Sequence, residues 1–479
     1  MNSQTDSASI IAPPNAARIG RSLPNPLLGT VVFIMLALVA PLIIIASTSS
    51  NGVPAWIGCY AIAALAAARF SWVVSSARHH IVDMIIAVFV YGFLGIAPMV
   101  QLRERADVST TPGFMEQFAW QTVTVIFVGY AAILVGAVVG GRVSRSIPAS
   151  RPPALFSPER VVIVTLAAFM TTAYYVRGIG VGSLFHTRAV IDAERGAVWP
   201  NPTTAALITG FSAMGLLVAA VAQILLFRQR RERHEKTPVV LLVVTIAALL
   251  VVVNPIASPR YTVGTVYVAL LAACGVWSSL RKFRSVAVSL LAALFFVFPV
   301  ASTFRNTLDA KVQFTSPLKS LLSGDFDSFD QINNTMYYIA ERGITWGDQL
   351  LGVVFFWVPR DWWDGKAVDT GILLAEFRNY SFTNLSAPLW AELMINGGWP
   401  LLIVGMLFVG FAVRRWDARL AIEIARRGTP GLIGCIAPIY LLIVLRGSLL
   451  QSMASLSIIL VLGLFLSARQ TVHRHTLRL

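Results

Sequence analysis

The stretch VPRDWWDGKAVDTG, residues 358–371, sets two tryptophans, three aspartates, an arginine and a lysine directly after the apolar run LLGVVFFW. Arginine grips a phosphate with two parallel N–H donors, and lysine supplies a compact second charge. Arg360 and Lys366 are therefore candidate ligands for a phosphate, against the simpler reading that they anchor the chain to anionic headgroups. Trp362 and Trp363 offer flat apolar faces beside polar groups, as a sugar ring requires. Further candidate cations are Arg446, Arg305, Arg177 and Arg188. Candidate general bases are Asp325 and Asp327, Glu392 and Glu376. The bland alternatives are helix capping for Asp325 and a salt bridge to one of the arginines for Glu392. His186 reads as an ordinary polar loop residue.

The elements that must position these residues follow from composition. The chain has 479 residues, 56% of them hydrophobic and 13% charged, with a mean hydropathy of +0.71. A soluble protein carries about 25% charged residues, so lipid must solvate most of this chain. Twelve segments have the apolar length needed to cross ~30 Å of hydrocarbon: 27–47, 53–74, 81–101, 119–140, 160–176, 204–227, 238–253, 261–279, 285–302, 398–413, 430–446 and 448–467. The seventh and tenth are short and the last two are barely separated, so eleven is the alternative count. The expected fold is an all-α polytopic membrane protein of about twelve helices.

Basic residues orient it. RVSRSIPASRPP, RQRRERHEK, RKFR and RRWDARLAIEIARR fall on the same side as both termini, which the positive-inside rule makes cytoplasmic. That bias also accounts for most of the +15 net charge without invoking nucleic acid. The expected organisation is a disordered cytoplasmic tail 1–26, read as no signal peptide, then nine helices over 27–302. A large extracytoplasmic loop 303–397, three more helices over 398–467 and a cytoplasmic tail 468–479 follow.

The large loop has internal order. TSPLKSLLSGDFDSFDQINNTMYYIAERG shows apolar spacing at Phe326, Phe329, Ile332, Met336 and Ile339, fitting an amphipathic helix ended by Gly343. The next apolar run is too short to span and reads as a re-entrant or interfacial segment stopped by Pro359. The charged stretch at 358–371 would then emerge at headgroup depth. Trp346, Trp357 and Trp399 fit an interfacial aromatic belt equally well. The cysteines, Cys59, Cys274 and Cys435, each lie in apolar runs, so neither a disulfide framework nor a metal cluster is expected. No P-loop, Rossmann, HExxH or CxxC pattern occurs, and no cofactor is expected.

GDFDSFDQI, GDQLLGVVFFWVPRDWWDGKAVDTG and NLSAPLWAELMINGGW together resemble the bacterial oligosaccharide repeat-unit polymerases, the GT-C-like O-antigen polymerase family, over roughly residues 320–400. Members carry a Pro-Arg, a Trp and a Lys ahead of a Thr-Gly or similar glycine. This chain departs from them in having Asp364 and Ala367 where proline is usual. The resemblance implies transfer of a growing glycan from undecaprenyl pyrophosphate to a fresh lipid-linked repeat unit, outside the bacterial cytoplasmic membrane. The product would be O-antigen, capsular or exopolysaccharide. The implied partners are the lipid-linked oligosaccharide, the bilayer, a lipid-linked-oligosaccharide flippase and a chain-length regulator, with no nucleic acid. The alternatives are an O-antigen ligase or another lipid-linked glycosyltransferase, and a twelve-span secondary transporter. No six-plus-six internal similarity supports transport.

Overall fold

The computed structural model describes residues 23–144, 156–235, 239–296 and 316–467. Arg305 and most of both expected tails lie outside the described residues. Among the described residues the fold is all-helical, without a β-strand. A chain in lipid must satisfy its backbone internally, and helices do so segment by segment.

Among the described residues, eight helices are long and apolar enough to cross a membrane: α1 (Pro26–Ser47), α2 (Trp56–Ser75), α3 (Ile81–Glu104), α4 (Ala119–Ser144), α5 (Pro158–Ile179), α7 (Pro202–Glu232), α14 (Leu389–Arg427) and α16 (Leu449–Ser467). Between α5 and α7 lies the short amphipathic α6 (Arg188–Val198). Shorter helices follow α7: α8 (Val240–Val252), α9 (Arg260–Ala273) and α10 (Leu280–Phe296). Three small helices, α11 (Ser328–Arg342), α12 (Asp348–Val354) and α13 (Thr370–Phe377), precede α14. The helix α15 (Leu432–Arg446) meets α16 at Gly447 and Ser448.

The helix α3 is buried along its length and forms the axis of the bundle. Its neighbour α4 packs backbone to backbone on α14. A Cβ on Gly136 would collide with the carbonyl of Leu407, and one on Gly410 with that of Ile133. Gly136 and Gly140 form a small-xxx-small pair of the kind that lets membrane helices approach this closely.

The tenth expected span, 398–413, proves to be the middle of a longer element. The helix α14 starts after Pro388 and ends at Gly428, whose φ of 71° suits glycine. It bends at Gly397 and Gly398, the latter at φ 60°, just before Pro400, so its first eight residues form a separately aimed segment. Hydropathy finds only the part that needs lipid. The helix continues beyond 413 because Asp417, Leu420 and Ile424 recur on one buried face. The expected amphipathic helix is confined to α11, and Gly343 ends it at φ 77°. The apolar run before Pro359 is helical only over Asp348–Val354.

Candidate functional site

The chain between 316 and 388 covers one end of the bundle. Gln101 in the last turns of α3 donates through Nε2 to the carbonyls of Leu321 (2.7 Å) and Phe326 (3.0 Å). Asn333 of α11 donates to the carbonyl of Met115 (3.1 Å) and to Thr122 Oγ1 (3.3 Å) at the start of α4. These anchors bring the turn Gly324–Asp327 between the first residues of α9 and the last of α15.

Four charged side chains meet there. Arg260, the first residue of α9, pairs with Asp325 (Nη1–Oδ2 2.7 Å). Arg446, the last of α15, pairs with Asp327 (Nη2–Oδ1 3.0 Å). Arg446 also donates through Nε to the Asp325 carbonyl (2.9 Å) and through Nη2 to that of Gly324 (2.9 Å). Its guanidinium lies 4.9 Å from the ring centre of Tyr261, a cation–π geometry, while the Tyr261 hydroxyl donates to the Asp325 carbonyl (3.2 Å). Ser386 adds a hydroxyl donor to Asp327 Oδ1 (2.7 Å). A bend that presents two carbonyls and two carboxylates to two arginines is fixed in place even though it belongs to no long helix.

Glu392 is fully buried next to this cluster. It accepts from Thr370 Oγ1 (2.8 Å), Ser448 Oγ (3.0 Å) and the Leu449 amide (2.9 Å). Its partners are hydroxyls and an amide, and it forms no ion pair with an arginine among the described residues. By capping the first turn of α16 it fixes the junction that ends in Arg446, and through Thr370 it ties the start of α13 to the same point. Asp369 caps α13, its Oδ1 accepting from the Gly371 amide (2.9 Å), and burial raises its pKa.

Arg360 and Lys366 stand apart from the cluster. Arg360 donates Nη1 to the Lys366 carbonyl (2.7 Å) and Nη2 to that of Ala367 (3.1 Å). Lys366 is buried, and its Nζ donates to the carbonyls of Phe356 and Val358, both at 2.8 Å. Burial, and then the charge of Arg360, push the Lys366 pKa down. The two cations thus staple the VPRDWWDGKA turn onto itself. Arg360 and Asp361 also line a cleft of about 360 Å³ with Pro200, Asn201, Pro202 and Thr203. Trp362 is 80% exposed, whereas Trp363 packs edge-on against Phe355 (6.3 Å between ring centres).

The remaining candidates are not brought to the cluster. Glu376 is an exposed residue of α13, and Arg177 is exposed in the last turn of α5. Arg188 pairs with Asp192 one turn along α6 (3.5 Å), and His186 is exposed just before it. No family model, curated protein or solved structure matches this chain.

The residues overlooked in the sequence are Arg260, Tyr261, Asp330, Thr370, Ser386 and Ser448. Arg260 had a readable signal, a charge at the mouth of an apolar run in SPRYTVG, like that of Arg446. Asp330 lies three residues after Asp327, hence on the same helical face. Thr370 stands in the Thr-Gly of the 358–371 stretch, whereas nothing local marks Ser386 and Ser448.

At the opposite end of the bundle, Arg69 binds Asp83 in the first turn of α3 with two bonds, 3.0 and 2.6 Å. Asp417 of α14 accepts from the amides of Val82 (2.8 Å) and Asp83 (3.2 Å). Arg414 lies 2.8 Å from His80 Nδ1. Burial foremost, then the charges of Arg414 and Arg69, lower the His80 pKa to about 3, so the ring is neutral. Ligand atoms of His80, Asp83 and Asp417 lie within 4.8 Å of one another. Their lone pairs are already taken by helix amides and guanidinium groups, and two flanking arginines repel a cation. This trio reads as a cap on α3 rather than a metal centre.

Proposed function

We propose that this protein is a membrane glycosyltransferase that polymerises undecaprenyl-pyrophosphate-linked oligosaccharide repeat units into a polysaccharide. In this reading it sits in the bacterial cytoplasmic membrane with both termini inside and the 316–388 segment outside. The helices α8, α9, α10 and α15 then cross the membrane with the eight longer ones, giving twelve spans. The flippase and the chain-length regulator remain its proposed partners.

The observation that supports this most is the meeting of Arg260, Asp325, Asp327 and Arg446 from three distant segments under one covering loop. Ionised side chains at a membrane helix end are costly unless paired, and they tend to mark functional sites. Transfer from a lipid pyrophosphate requires neutralising the leaving group, which arginines do without a metal. Arg446 is the leading ligand. Its Nε and Nη2 are anchored by backbone and Asp327, and its Nη1 makes no hydrogen bond among the described residues. Glu392 then acts as a positioning residue, holding the α15–α16 junction. A second location for the anion is favoured by one observation, the cleft beside Arg360, which forms no ion pair among the described residues although Asp361 lines the same cleft.

Deleting the gene tests the reading. The expected phenotype is loss of long polysaccharide with single repeat units accumulating on undecaprenyl pyrophosphate, restored by the intact chain. Full-length polymer stranded on undecaprenyl pyrophosphate would instead identify a ligase. Unchanged polysaccharide would end the glycosyltransferase reading. Reporter fusions at Ser323 and Arg230 should read outside and inside respectively, and the reverse would overturn the orientation.

A further inference from the structure

The helix α11 presents a second carboxylate one turn beyond Asp327, and its surroundings differ in kind. Asp330 forms no ion pair among the described residues. Its one side-chain hydrogen bond comes from Thr111 Oγ1 to Oδ2 (3.1 Å), although the residue is only 6% exposed. It lines a cavity of about 80 Å³ together with Gln101, Leu102, Arg105, Asp107 and Glu116. Gln101 is 4% exposed, and its Oε1 has no hydrogen-bond partner among the described residues. Arg105, Asp107 and Glu116 are exposed, so the cavity mouth reaches the surface. A sugar hydroxyl or hydroxymethyl group can enter it from this open mouth.

The geometry points to Asp330 as the general base of the glycosyl transfer, receiving the proton of an acceptor sugar hydroxyl inserted into this cavity. The inference rests on the glycosyltransferase reading given above. In the step, the acceptor O–H gives its proton to an Asp330 carboxylate oxygen, and the acceptor oxygen bonds to the donor's anomeric carbon. The bond from that carbon to the pyrophosphate oxygen breaks, and its electron pair leaves on the pyrophosphate toward Arg446. Asp327 links the two halves, since it accepts from Arg446 and lies one turn from Asp330. Asp325 and Asp327 are held by guanidinium groups, whereas Asp330 forms no ion pair among the described residues.

The groups around Asp330 set its titration. Burial foremost, then the charges of Asp327 and Asp107, raise its pKa to about 8, against the lowering effect of the Thr111 hydrogen bond. Arg105 and Glu116 face the same cavity and pair with each other at 3.9 Å, so their charges offset. Gln101 on α3 is neutral, and Arg446 on α15 is engaged by Asp327. A base whose pKa lies near the working pH combines adequate ionisation with proton-transfer driving force.

The test is polymer formation by membranes from deletion cells carrying the full-length chain, supplied with lipid-linked repeat units and assayed from pH 6 to 9. Wild-type chain should form polymer at a rate that climbs toward pH ~8. Asp330→Asn should lose on the order of 10²- to 10⁴-fold and show no such climb in what is left. Asp330→Glu should keep part of the rate, with the climb displaced. Purified Asp330→Asn should also melt at or above the wild-type temperature at pH 8. The neutral acid's contribution to stability is present below the unfolded pKa near 3.8 and lost as pH rises through about 8, and an amide does not lose it. Wild-type-like rates and pH profile from Asp330→Asn would overturn the base assignment while leaving the glycosyltransferase reading intact. Absence of polymer from wild-type chain would instead overturn that reading. An Asp330→Asn protein that melts well below wild type at pH 8 and loses activity equally at every pH would mark Asp330 as structural, and also overturn the assignment.

Discussion

At one end of the bundle, Asp83 and Asp417 receive a two-bonded arginine and two helix amides, and every acceptor oxygen faces a donor within the helices themselves. At the other end, Asp325 and Asp327 sit on a turn outside the helices and meet arginines from the mouths of α9 and α15. Unpartnered buried atoms lie on the covering segment and its neighbours, Gln101 Oε1, Thr110 Oγ1, Ser328 Oγ, Gln331 Nε2 and Asn333 Oδ1, against Ser71 Oγ, His79 Nε2 and Tyr130 Oη near the closed end. The first arrangement spends its polar groups on holding α2, α3 and α14 together. The second leaves capacity for something else to bind. Buried polar groups without partners are uncommon in native structures, so the larger number of them along the covering segment is the informative difference.

That contrast makes predictions of different size. The largest is for stability at the closed end. Arg69→Ala leaves the Asp83 carboxylate buried without its cation and should cost about 3–5 kcal/mol, read as a lowered melting temperature in detergent and poor accumulation. The double change Arg69→Met with Asp83→Leu should recover most of the loss, because removing both charges removes the desolvation problem. A stable Arg69→Ala protein would show that this end is not the structural one.

Next comes Arg446→Lys at the open end. A lysine keeps the charge but cannot reproduce the anchored fork. Polymer formation should fall by ~30- to 1000-fold, corresponding to about 2–4 kcal/mol of transition-state stabilisation, with the protein accumulating near normally. An equal fall in stability and none in activity per molecule would make the two ends alike and undo the comparison.

The smallest effect is expected at Arg360. Its two bonds go to backbone carbonyls, which a lysine satisfies nearly as well. Arg360→Lys should therefore cost about 1 kcal/mol or less in melting assays and change polymer yield by no more than ~3-fold. Loss of polymer with normal accumulation would move the phosphate site to the cleft beside Pro200 and Arg360.

Much of the architecture was legible from residue order. Apolar length located the long helices, and Gly343 marked the end of α11. The arginine at 446, alone between two apolar runs, stood out as a charge needing a partner. The helix α14 was harder, because its ends beyond 398–413 are amphipathic and carry no strong hydropathy signal. The stretch at 358–371 carries contacts that its residue types do not reveal. Its arginine and lysine were the residues best suited to phosphate, yet in the folded chain both meet carbonyls ten residues away or fewer. Local carbonyls freed by a tight turn compete for the same donors, and no sequence pattern records that competition.

What the sequence determined by itself was the solvent and the element type. A composition of 56% hydrophobic residues can bury its surface only against lipid or itself, and in lipid only helices satisfy the backbone segment by segment. Tertiary structure alone decided which charges meet. Arg260 and Asp325 are separated by 65 residues, and Arg446 and Asp327 by 119, so neither pair has a local signature. The pairs exist because Gln101 and Asn333 pin the covering segment to α3 and α4, which sets one turn between two helix mouths. Desolvation of that turn then makes each carboxylate depend on the cation that packing has placed beside it, and leaves Asp330, one helical turn on, without an ion pair among the described residues.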